Sequence, residues 1–183
     1  MAYRKTPAVK AHLTAQRQAI IEAATGVVAK HGRERLIPLT VERASVSMGT
    51  IYKYFADVDE LWKAVVAAAL ARNLTAMREA AEAEHYPVNA LTRALAVFYD
   101  SLNPPRLARA LAEVPAYRKA IRTTLEPLIG RALDVPPRAR EQHAAAILGA
   151  LYGLADVEAT NKTACIIALR SLGVPEAAAR ALA

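Results

Sequence analysis

Apolar residues recur every three or four positions along most of the chain, a spacing that places them on one face of an α-helix. The first such segment starts with Thr14 as its predicted cap, has Ile20 and Val27 on its apolar face, and ends before Gly32. No segment alternates apolar and polar residues at the period of two that is typical of a half-buried strand. The pattern therefore predicts an all-α chain.

Two short helices follow, at about residues 38–44 and 48–54, and only three residues separate them. Ser47 is typical of a helix N-cap, because its hydroxyl can accept a hydrogen bond from a backbone N–H of the first turn. Two helices joined by so tight a turn predict a helix-turn-helix unit. Asp57, with Glu60 three residues later, predicts a capped fourth helix that reaches about residue 83.

The rest of the chain is predicted to be a series of helices divided by proline, asparagine and glycine. One of them carries an apolar stripe of Leu91, Leu95, Phe98 and Leu102. The predicted segments begin at about residues 89, 106, 115, 138 and 157, and a last short helix begins at Pro175.

Composition limits the kind of protein further. With 183 residues, 54% of them hydrophobic, the chain is too apolar to be disordered and long enough for one large or two small domains. Its longest uncharged apolar run, residues 64–71, is less than half of a membrane span, so no membrane partner is expected. Cys165 is the only cysteine, which excludes an internal disulfide and predicts a reducing, cytoplasmic location.

Positive charge is concentrated at the start of the chain. The formal net charge is +7, and the first 35 residues contribute +5 of it. A basic end of this kind predicts a polyanionic partner, either nucleic acid or anionic lipid, and the alternative is a solubilising tail. With nucleic acid as the partner, Arg4 and Lys5 are expected to form an arm that reaches phosphates or the minor groove.

The second helix of a helix-turn-helix lies in the DNA major groove, with its N-terminal residues against the base edges. Here that helix lies in the string VSMGTIYKYF at residues 46–55, where three of the chain's ten aromatic residues surround a lysine. Its Tyr and Lys side chains can reach phosphates, while Ile51 and Phe55 can hold the helix on its domain. An ordinary amphipathic helix with aromatic core contacts is the alternative. The predicted DNA contacts are Thr40, Ser47, Met48, Gly49, Thr50, Tyr52, Lys53 and Tyr54, with Arg4 and Lys5 from the arm.

This stretch resembles the DNA-binding head of the TetR family of bacterial transcriptional regulators. The resemblance covers about residues 14–65 and rests mainly on GTIYKYF at residues 49–55. The other matching positions are Gly32, Ala44, Val46, Ser47, Glu60 and Leu61.

Three positions depart from the family pattern. Val41 stands where a small alanine is usual, Ser45 where the turn usually has glycine, and Val58 where a lysine usually contacts phosphate. A turn of the usual shape requires a positive φ at Ser45, which costs about 1 kcal/mol for a residue with a side chain. These departures bear on the strength of DNA binding more than on the fold.

The resemblance implies a DNA-binding domain at residues 1–56 and a helical domain for ligand binding and dimerisation at residues 57–183. It implies a small-molecule pocket in the second domain, with plain core packing as the alternative for each candidate. The predicted lining residues are Phe98, Tyr99, Tyr117 and Tyr152. The family also pairs two helices of each copy across a two-fold axis, and the small residues of the last two long helices suit such packing, with intrachain packing as the alternative. The predicted interface residues are Ile147, Leu151, Ile166, Ile167 and Leu169.

The sequence therefore predicts a homodimer that represses transcription by binding operator DNA and is released by a small-molecule effector. One alternative is a dimeric ligand- or partner-binding protein of the same fold with a weakened DNA-binding head. The other is an enzyme or ligand carrier on a helical scaffold. The sequence has no catalytic constellation, no cofactor motif and no metal-ligand spacing, so no enzyme, cofactor or metal is predicted.

Overall fold

The computed structural model describes residues 7–183, and every regular element within that range is an α-helix. This confirms the all-α prediction. The helices are α1 (Pro7–His31), α2 (Leu36–Ala44), α3 (Met48–Tyr54), α4 (Val58–Glu82), α5 (Pro87–Asp100), α6 (Pro105–Ala112), α7 (Pro115–Leu133), α8 (Pro137–Asp156), α9 (Asn161–Ser171) and α10 (Glu176–Leu182).

The chain divides into two compact units, and the division falls between Ala68 and Ala69, within α4. The first unit contains α1, α2 and α3, and the second contains α5 to α10. The predicted boundary between residues 56 and 57 lies in the short connection before α4. The assignment of DNA binding to one side of that boundary and of ligand binding to the other stays a prediction.

The core of the first unit is formed by one face of α1 and the inward faces of the helices that follow it. Ile20 and Val28 of α1 are fully buried, as are Ile51 of α3 and Leu61 and Val65 of α4. Ile20 and Val28 lie eight positions apart in α1, and Leu61 and Val65 lie four positions apart in α4. Both spacings place the two residues on one face of their helix.

The start of α1 differs from the prediction. The helix begins at Pro7, and Thr14 lies inside it. The Thr14 hydroxyl donates a hydrogen bond to the Lys10 carbonyl at 3.0 Å, so it binds back onto its own helix and does not cap it. The prediction was wrong because the residues before Thr14 carry no apolar stripe to mark them as helical.

Two arginines lie over aromatic rings in the first unit. The Arg17 guanidinium is 5.0 Å from the centre of the Phe55 ring, and the Arg33 guanidinium is 4.9 Å from the Trp62 ring. Arg33 also binds the Asp59 carboxylate at 2.9 Å. Each cation over a ring contributes about 0.5–1 kcal/mol at an exposed site, so these contacts fasten the end of α3 and the start of α4 to the α1 region.

The predicted capping box before α4 is confirmed. Asp57 Oδ1 accepts a hydrogen bond from the Glu60 backbone N–H at 2.7 Å, and Glu60 Oε2 accepts one from the Ala56 N–H at 2.6 Å. The two carboxylates thus satisfy backbone donors on both sides of the helix start.

The core of the second unit contains the predicted stripe of α5. Leu91, Leu95 and Phe98 are fully buried, and Leu102 just after the helix is nearly so. The inward face of α7 packs in the same core with Tyr117, Ile121, Leu125, Leu128 and Ile129.

Two helix starts in this unit differ from the prediction. α5 begins at Pro87, which occupies the first turn, where a missing N–H breaks no helical hydrogen bond. α9 begins four residues later than predicted, at Asn161. Glu158 has a left-handed backbone with φ 52°, and Thr160 then caps the helix by accepting from the Thr163 N–H at 3.2 Å.

Asn73 of α4 and Tyr117 of α7 form a buried polar pair. Asn73 Nδ2 donates to the Tyr117 hydroxyl at 2.6 Å, and both side chains are almost fully removed from solvent. A buried amide without a partner costs about 1–3 kcal/mol, so this hydrogen bond fixes the two helices relative to each other.

We expect Tyr117→Phe to lower the free energy of unfolding in urea by about 1–3 kcal/mol, because it leaves the Asn73 amide buried and unpaired. Tyr86→Phe is the matched control, since Tyr86 is 68% exposed, and it should change that free energy by less than about 0.5 kcal/mol. Equal unfolding free energies for the two variants would contradict the role given to this hydrogen bond.

Candidate nucleic-acid interface

The turn between α2 and α3 has the shape that the sequence predicted. Ser45, directly after α2, has φ 52° and ψ 43°, which is the left-handed conformation. Its N–H binds the Glu42 carbonyl at 3.3 Å, and the Val46 N–H binds the Val41 carbonyl at 3.2 Å. These bonds satisfy the last carbonyls of α2 and reverse the chain direction within three residues.

The start of α3 is organised by Ser47, which is confirmed as its cap. Ser47 Oγ accepts a hydrogen bond from the Thr50 N–H at 3.1 Å and shares a second one with Thr50 Oγ1 at 2.9 Å. Only one of the two hydroxyls donates in that second bond. The hydrogen of the other is therefore available to an acceptor outside the protein.

Gly49 is exposed on the first turn of α3, and the fold itself does not require a glycine there. A Cβ at this position would meet only Ser47 Oγ, at 3.8 Å, which is an ordinary contact. Glycine inside a helix is about 1 kcal/mol less favourable than alanine. A backbone that must approach a bulky partner closely gives a reason for the glycine that packing does not.

The two faces of α3 differ sharply in exposure. Ile51 is fully buried and Phe55 nearly so, which confirms that they hold the helix on its unit. On the other face Met48 is 42% exposed and Tyr52 is 51% exposed, and Lys53 is exposed beside them. The structure thus brings most of the predicted contact residues onto one solvent-facing surface.

Thr40 does not lie on that surface, which contradicts its prediction as a DNA contact. Its side chain is fully buried, and its hydroxyl donates to the Leu36 carbonyl at 2.6 Å. A Thr hydroxyl inside a helix readily binds the carbonyl four residues before it, and packing over Thr40 then excludes any partner.

Tyr54 is placed differently from Tyr52. It is half-buried, and its hydroxyl donates to Gln16 Oε1 of α1 at 2.7 Å. Phosphate oxygens only accept hydrogen bonds at neutral pH, and a phenol has a single hydrogen to donate. Tyr54 therefore helps attach α3 to α1, and its hydroxyl has no hydrogen left to donate to a phosphate.

Four further positions of the predicted DNA-binding region concern charge. Arg4 and Lys5, the predicted arm, lie outside the described residues. Val58, at the first position of α4, is 39% exposed and presents an apolar side chain where the family pattern usually has lysine. Among the described residues no carboxylate lies within ion-pair distance of Lys53, so its charge is not neutralised internally.

The four predicted ligand residues all belong to the second unit, but their hydroxyls differ. The Phe98 ring meets the Tyr152 ring edge-on, with 6.1 Å between their centres. Tyr99 donates to the Ala159 carbonyl at 2.8 Å, and Tyr117 accepts from Asn73, so both hydroxyls have protein partners. The Tyr152 hydroxyl is buried, and none of the described residues is bound to it. Burial raises the pKa of Tyr152, so the phenol stays protonated at neutral pH.

Three of the five predicted interface residues are wrong. Ile147 and Leu151 of α8 and Leu169 of α9 are fully buried within their own chain, so no partner can reach them. Ile166 is half-buried, and Ile167 is 39% exposed.

The exposed face of α8 consists of smaller residues. A Cβ placed at Gly149 or Gly153 would have no neighbouring atom of the described chain within 4 Å. Ala146 and Gln142 continue the same exposed stripe, at helical spacing. The sequence does not separate the buried side of α8 from its exposed side, because α8 is apolar or small over most of its circumference. A dimer interface on α8 stays a prediction.

Two general findings limit the kinds of site. Within residues 7–183, no group of three or more His, Cys, Asp and Glu side chains is arranged to hold a metal ion. No helix in the same range is long and apolar enough to cross a membrane.

No protein-family model and no curated protein matches the chain. Solved structures do match it over most of its length. A TetR family transcription regulator from Marinobacter aquaeolei VT8 has a TM-score of 0.67 and 17% identity, over 90% of this chain and 97% of that one. SmeT, the repressor of the Stenotrophomonas maltophilia multidrug efflux pump SmeDEF, has a TM-score of 0.64 and 22% identity, over 86% and 88%. RolR in complex with resorcinol has a TM-score of 0.62 and 19% identity, over 94% and 95%.

This chain has the TetR-like fold. The resemblance seen at residues 14–65 in the sequence therefore extends, as a likeness of fold, through the second unit as well. In this TetR-like fold, α2 and α3 form the helix-turn-helix that the sequence predicted.

We expect Ser45→Gly to raise the free energy of unfolding by about 0.5–1 kcal/mol, because glycine adopts the left-handed turn without the Cβ strain of serine. Ala44→Gly is the control, since Ala44 is the last helical residue of α2 and a glycine there should destabilise the protein, by at most about 1 kcal/mol. Urea unfolding of the two variants measures both effects. A loss of stability in Ser45→Gly would show that the turn is not strained.

Proposed function

We propose that this chain is a transcriptional regulator of the TetR family. It binds operator DNA as a homodimer through α3 and is released by a small-molecule effector bound in its second unit. The observation that carries the proposal is the division of α3 into two faces, one anchored in the core by Ile51 and Phe55 and one open to solvent.

The exposed first turn of α3 suits the edges of base pairs. The major groove admits one α-helix, and apolar side chains there contact the thymine methyl group. Met48 is an exposed apolar side chain at that turn, and Thr50 offers a hydroxyl that binds either donors or acceptors. The bare backbone at Gly49 lets the helix approach the bases closely.

The second turn of α3 suits the phosphates. Tyr52 presents a phenol and Lys53 a cation on the same exposed face. Contacts of this kind fix the register of a protein on DNA without reading its sequence. The first turn of α3 therefore reads the bases, and its second turn binds the phosphates.

The exposed stripe of α8 supports a dimer. Small residues at Ala146, Gly149 and Gly153 allow the backbone of a second helix to approach closely, and Ile167 of α9 adds an exposed apolar side chain. Two copies related by a two-fold axis would place two α3 helices in successive major grooves, about one helical turn of DNA apart.

The second unit supports control by a small molecule. RolR, with the same fold, is known in complex with resorcinol, and SmeT is a repressor. We carry both features to this chain as part of the proposal. An effector can release DNA only by binding the released state more tightly than the DNA-bound state.

The second candidate function is a dimeric binding protein whose DNA-reading head is weakened. The observations that favour it are the strained backbone at Ser45 and the apolar Val58 at the start of α4. Neither changes the exposed face of α3, so we prefer the regulator.

We expect Tyr52→Phe and Lys53→Ala to weaken binding to every DNA alike. Lys53→Ala should also reduce the slope of log affinity against log salt by about two for the dimer, since each of its two copies loses one phosphate contact. Thr50→Ala should cost about 1–3 kcal/mol on the preferred site and relax the preference for it. Fluorescence anisotropy on the DNA upstream of the gene, with shuffled DNA beside it and over a salt series, measures all three.

Arg138→Ala is the matched control, because Arg138 is an exposed cation in the second unit, and it should leave affinity and salt slope unchanged. If Lys53→Ala behaved like Arg138→Ala, the phosphate role of α3 would be wrong. If the DNA upstream of the gene does not contain the preferred site, that site is identified from genomic fragments that the protein captures.

We expect Gly153→Arg to dissociate the homodimer without unfolding the monomer, because the side chain enters open space in the single chain but clashes across a paired α8. Sedimentation velocity should show a fall in mass to that of one chain. Ala67→Arg, on an exposed face of α4, should keep the wild-type mass. A dimer that survives Gly153→Arg would place the interface elsewhere.

A further inference from the structure

Two buried side-chain atoms lack a hydrogen-bond partner among the described residues, Tyr152 Oη and Arg122 Nε. Both side chains line the same cavity of about 500 Å³, between the end of α6 and the facing sides of α7 and α8. Buried polar groups are nearly always paired, so two unpaired donors at one cavity need a reason. A ligand that accepts hydrogen bonds from both donors would explain why they have no partner within the chain.

The charge at this cavity points to an anion. Arg118 and Lys119 line it and are exposed, and neither has a carboxylate within ion-pair distance in the described part of the chain. Arg122 lies between two carboxylates, with Glu126 3.9 Å from its Nε and Glu141 3.5 Å from its Nη2, and at 3.9 Å the contact of Nε is too long to be a hydrogen bond. Three cations thus face two carboxylates, and a single negative charge is the complement.

The remaining wall of the cavity is apolar. It is formed by Ala112, Pro115, Ala145, Leu148 and Gly149, none of which offers a side-chain hydrogen bond, and Gly149 also lies on the exposed stripe of α8. A smaller cavity of about 320 Å³ shares Ala112, Arg118 and Tyr152 with it and is also lined by the charged Arg109, Glu113 and Asp156, so the larger cavity is the one with room for an apolar body. A ligand with one charged end and an apolar body can fill this space, whereas a fully polar anion would leave the apolar wall uncovered.

The Tyr152 hydroxyl has a hydrogen that it can donate to a ligand. Its ring is fixed edge-on against the buried Phe98, and burial raises the pKa of its phenol, so the hydroxyl keeps its hydrogen at neutral pH. The hydroxyl is removed from solvent in the chain alone, and Arg118 and Lys119 line the same cavity. Both cations are exposed and have no ion pair in the described chain, so their charge is available to an anion in the cavity.

We propose that this cavity binds an organic monocarboxylate with an apolar body, whose carboxylate accepts hydrogen bonds from Tyr152 Oη and Arg122 Nε. The inference deepens the proposed function by naming the class of effector, and rests on it only for the consequence that binding releases DNA. The binding itself requires neither DNA nor a dimer.

Isothermal titration calorimetry of the full chain with octanoate and with benzoate tests the proposal, with 1-octanol and benzamide as uncharged counterparts. We expect at least one carboxylate to bind about tenfold more tightly than its counterpart, the loss expected when a charged group and its hydrogen bonds are removed. The better carboxylate tells an aliphatic effector from an aromatic one. Acetate, which has the charge without the apolar body, should bind about tenfold more weakly than that carboxylate or weaker still.

Tyr152→Phe is the decisive variant, because it removes only the unpaired hydroxyl. It should weaken carboxylate binding about fivefold or more, and Arg122→Gln should do the same, while Tyr86→Phe binds as the wild type does. Tyr152→Phe should also unfold at the same or a higher urea concentration than the wild type, since it deletes a buried donor without a partner. A purely structural Tyr152 would instead lose stability on the same change, as Tyr117→Phe is expected to do.

The proposal is overturned if neither carboxylate binds more tightly than its uncharged counterpart. It is also overturned if carboxylate binding is unchanged in both Tyr152→Phe and Arg122→Gln, because the site then lies elsewhere. DNA binding is measured separately, so its absence would remove the regulator and leave the carboxylate site standing. DNA binding without carboxylate binding would support the regulator and remove the carboxylate site.

Discussion

A seven-residue helix has no stability of its own in water, so the position of α3 depends on how its buried side chains are held. Ile51 and Phe55 carry that attachment, and Arg17 of α1 lies over the Phe55 ring. The Tyr54 hydroxyl adds a hydrogen bond to Gln16 on the same helix. The exposed face of α3 keeps its direction only while these contacts hold, because so short a helix cannot hold that direction by itself.

Tyrosine hydroxyls of the second unit differ in whether they have a partner within the chain. The hydroxyls of Tyr99 and Tyr117 are bound within the chain, to the Ala159 carbonyl and to Asn73, and they stabilise the packing of its helices. The Tyr152 hydroxyl is also buried but has no partner in the described chain, which costs stability without adding a contact. Such a cost is typical of a site that is completed by a ligand.

The helix-turn-helix could be predicted because its signals are local in sequence. The Ser47 cap and the Asp57 and Glu60 box each depend on residues within a few positions, and the structure confirms both. The inward direction of Ile51 could be predicted for the same reason. The positive φ at Ser45, which the structure also has, was implied by the family resemblance.

The remaining features depend on which side of a helix its neighbours cover. Thr40 looks like a polar surface residue, but packing buries it and its hydroxyl binds its own helix. On α8, Ile147 faces inward and Gly149 outward, and a helix that is small and apolar over most of its circumference carries no pattern to tell them apart. Arg122 and Tyr152 line one cavity from two different helices, so no local signal in the sequence joins them.

Selection of duplexes from a random DNA pool by the purified protein tests the central claim most directly, since the operator sequence does not have to be chosen beforehand. We predict enrichment of one inverted repeat, with half-sites about one helical turn apart, and its loss in a protein carrying Lys53→Ala and Thr50→Ala together. A pool that stays random after repeated rounds, with a correctly folded dimer, would contradict a DNA-reading α3 and favour the binding protein with a weakened head.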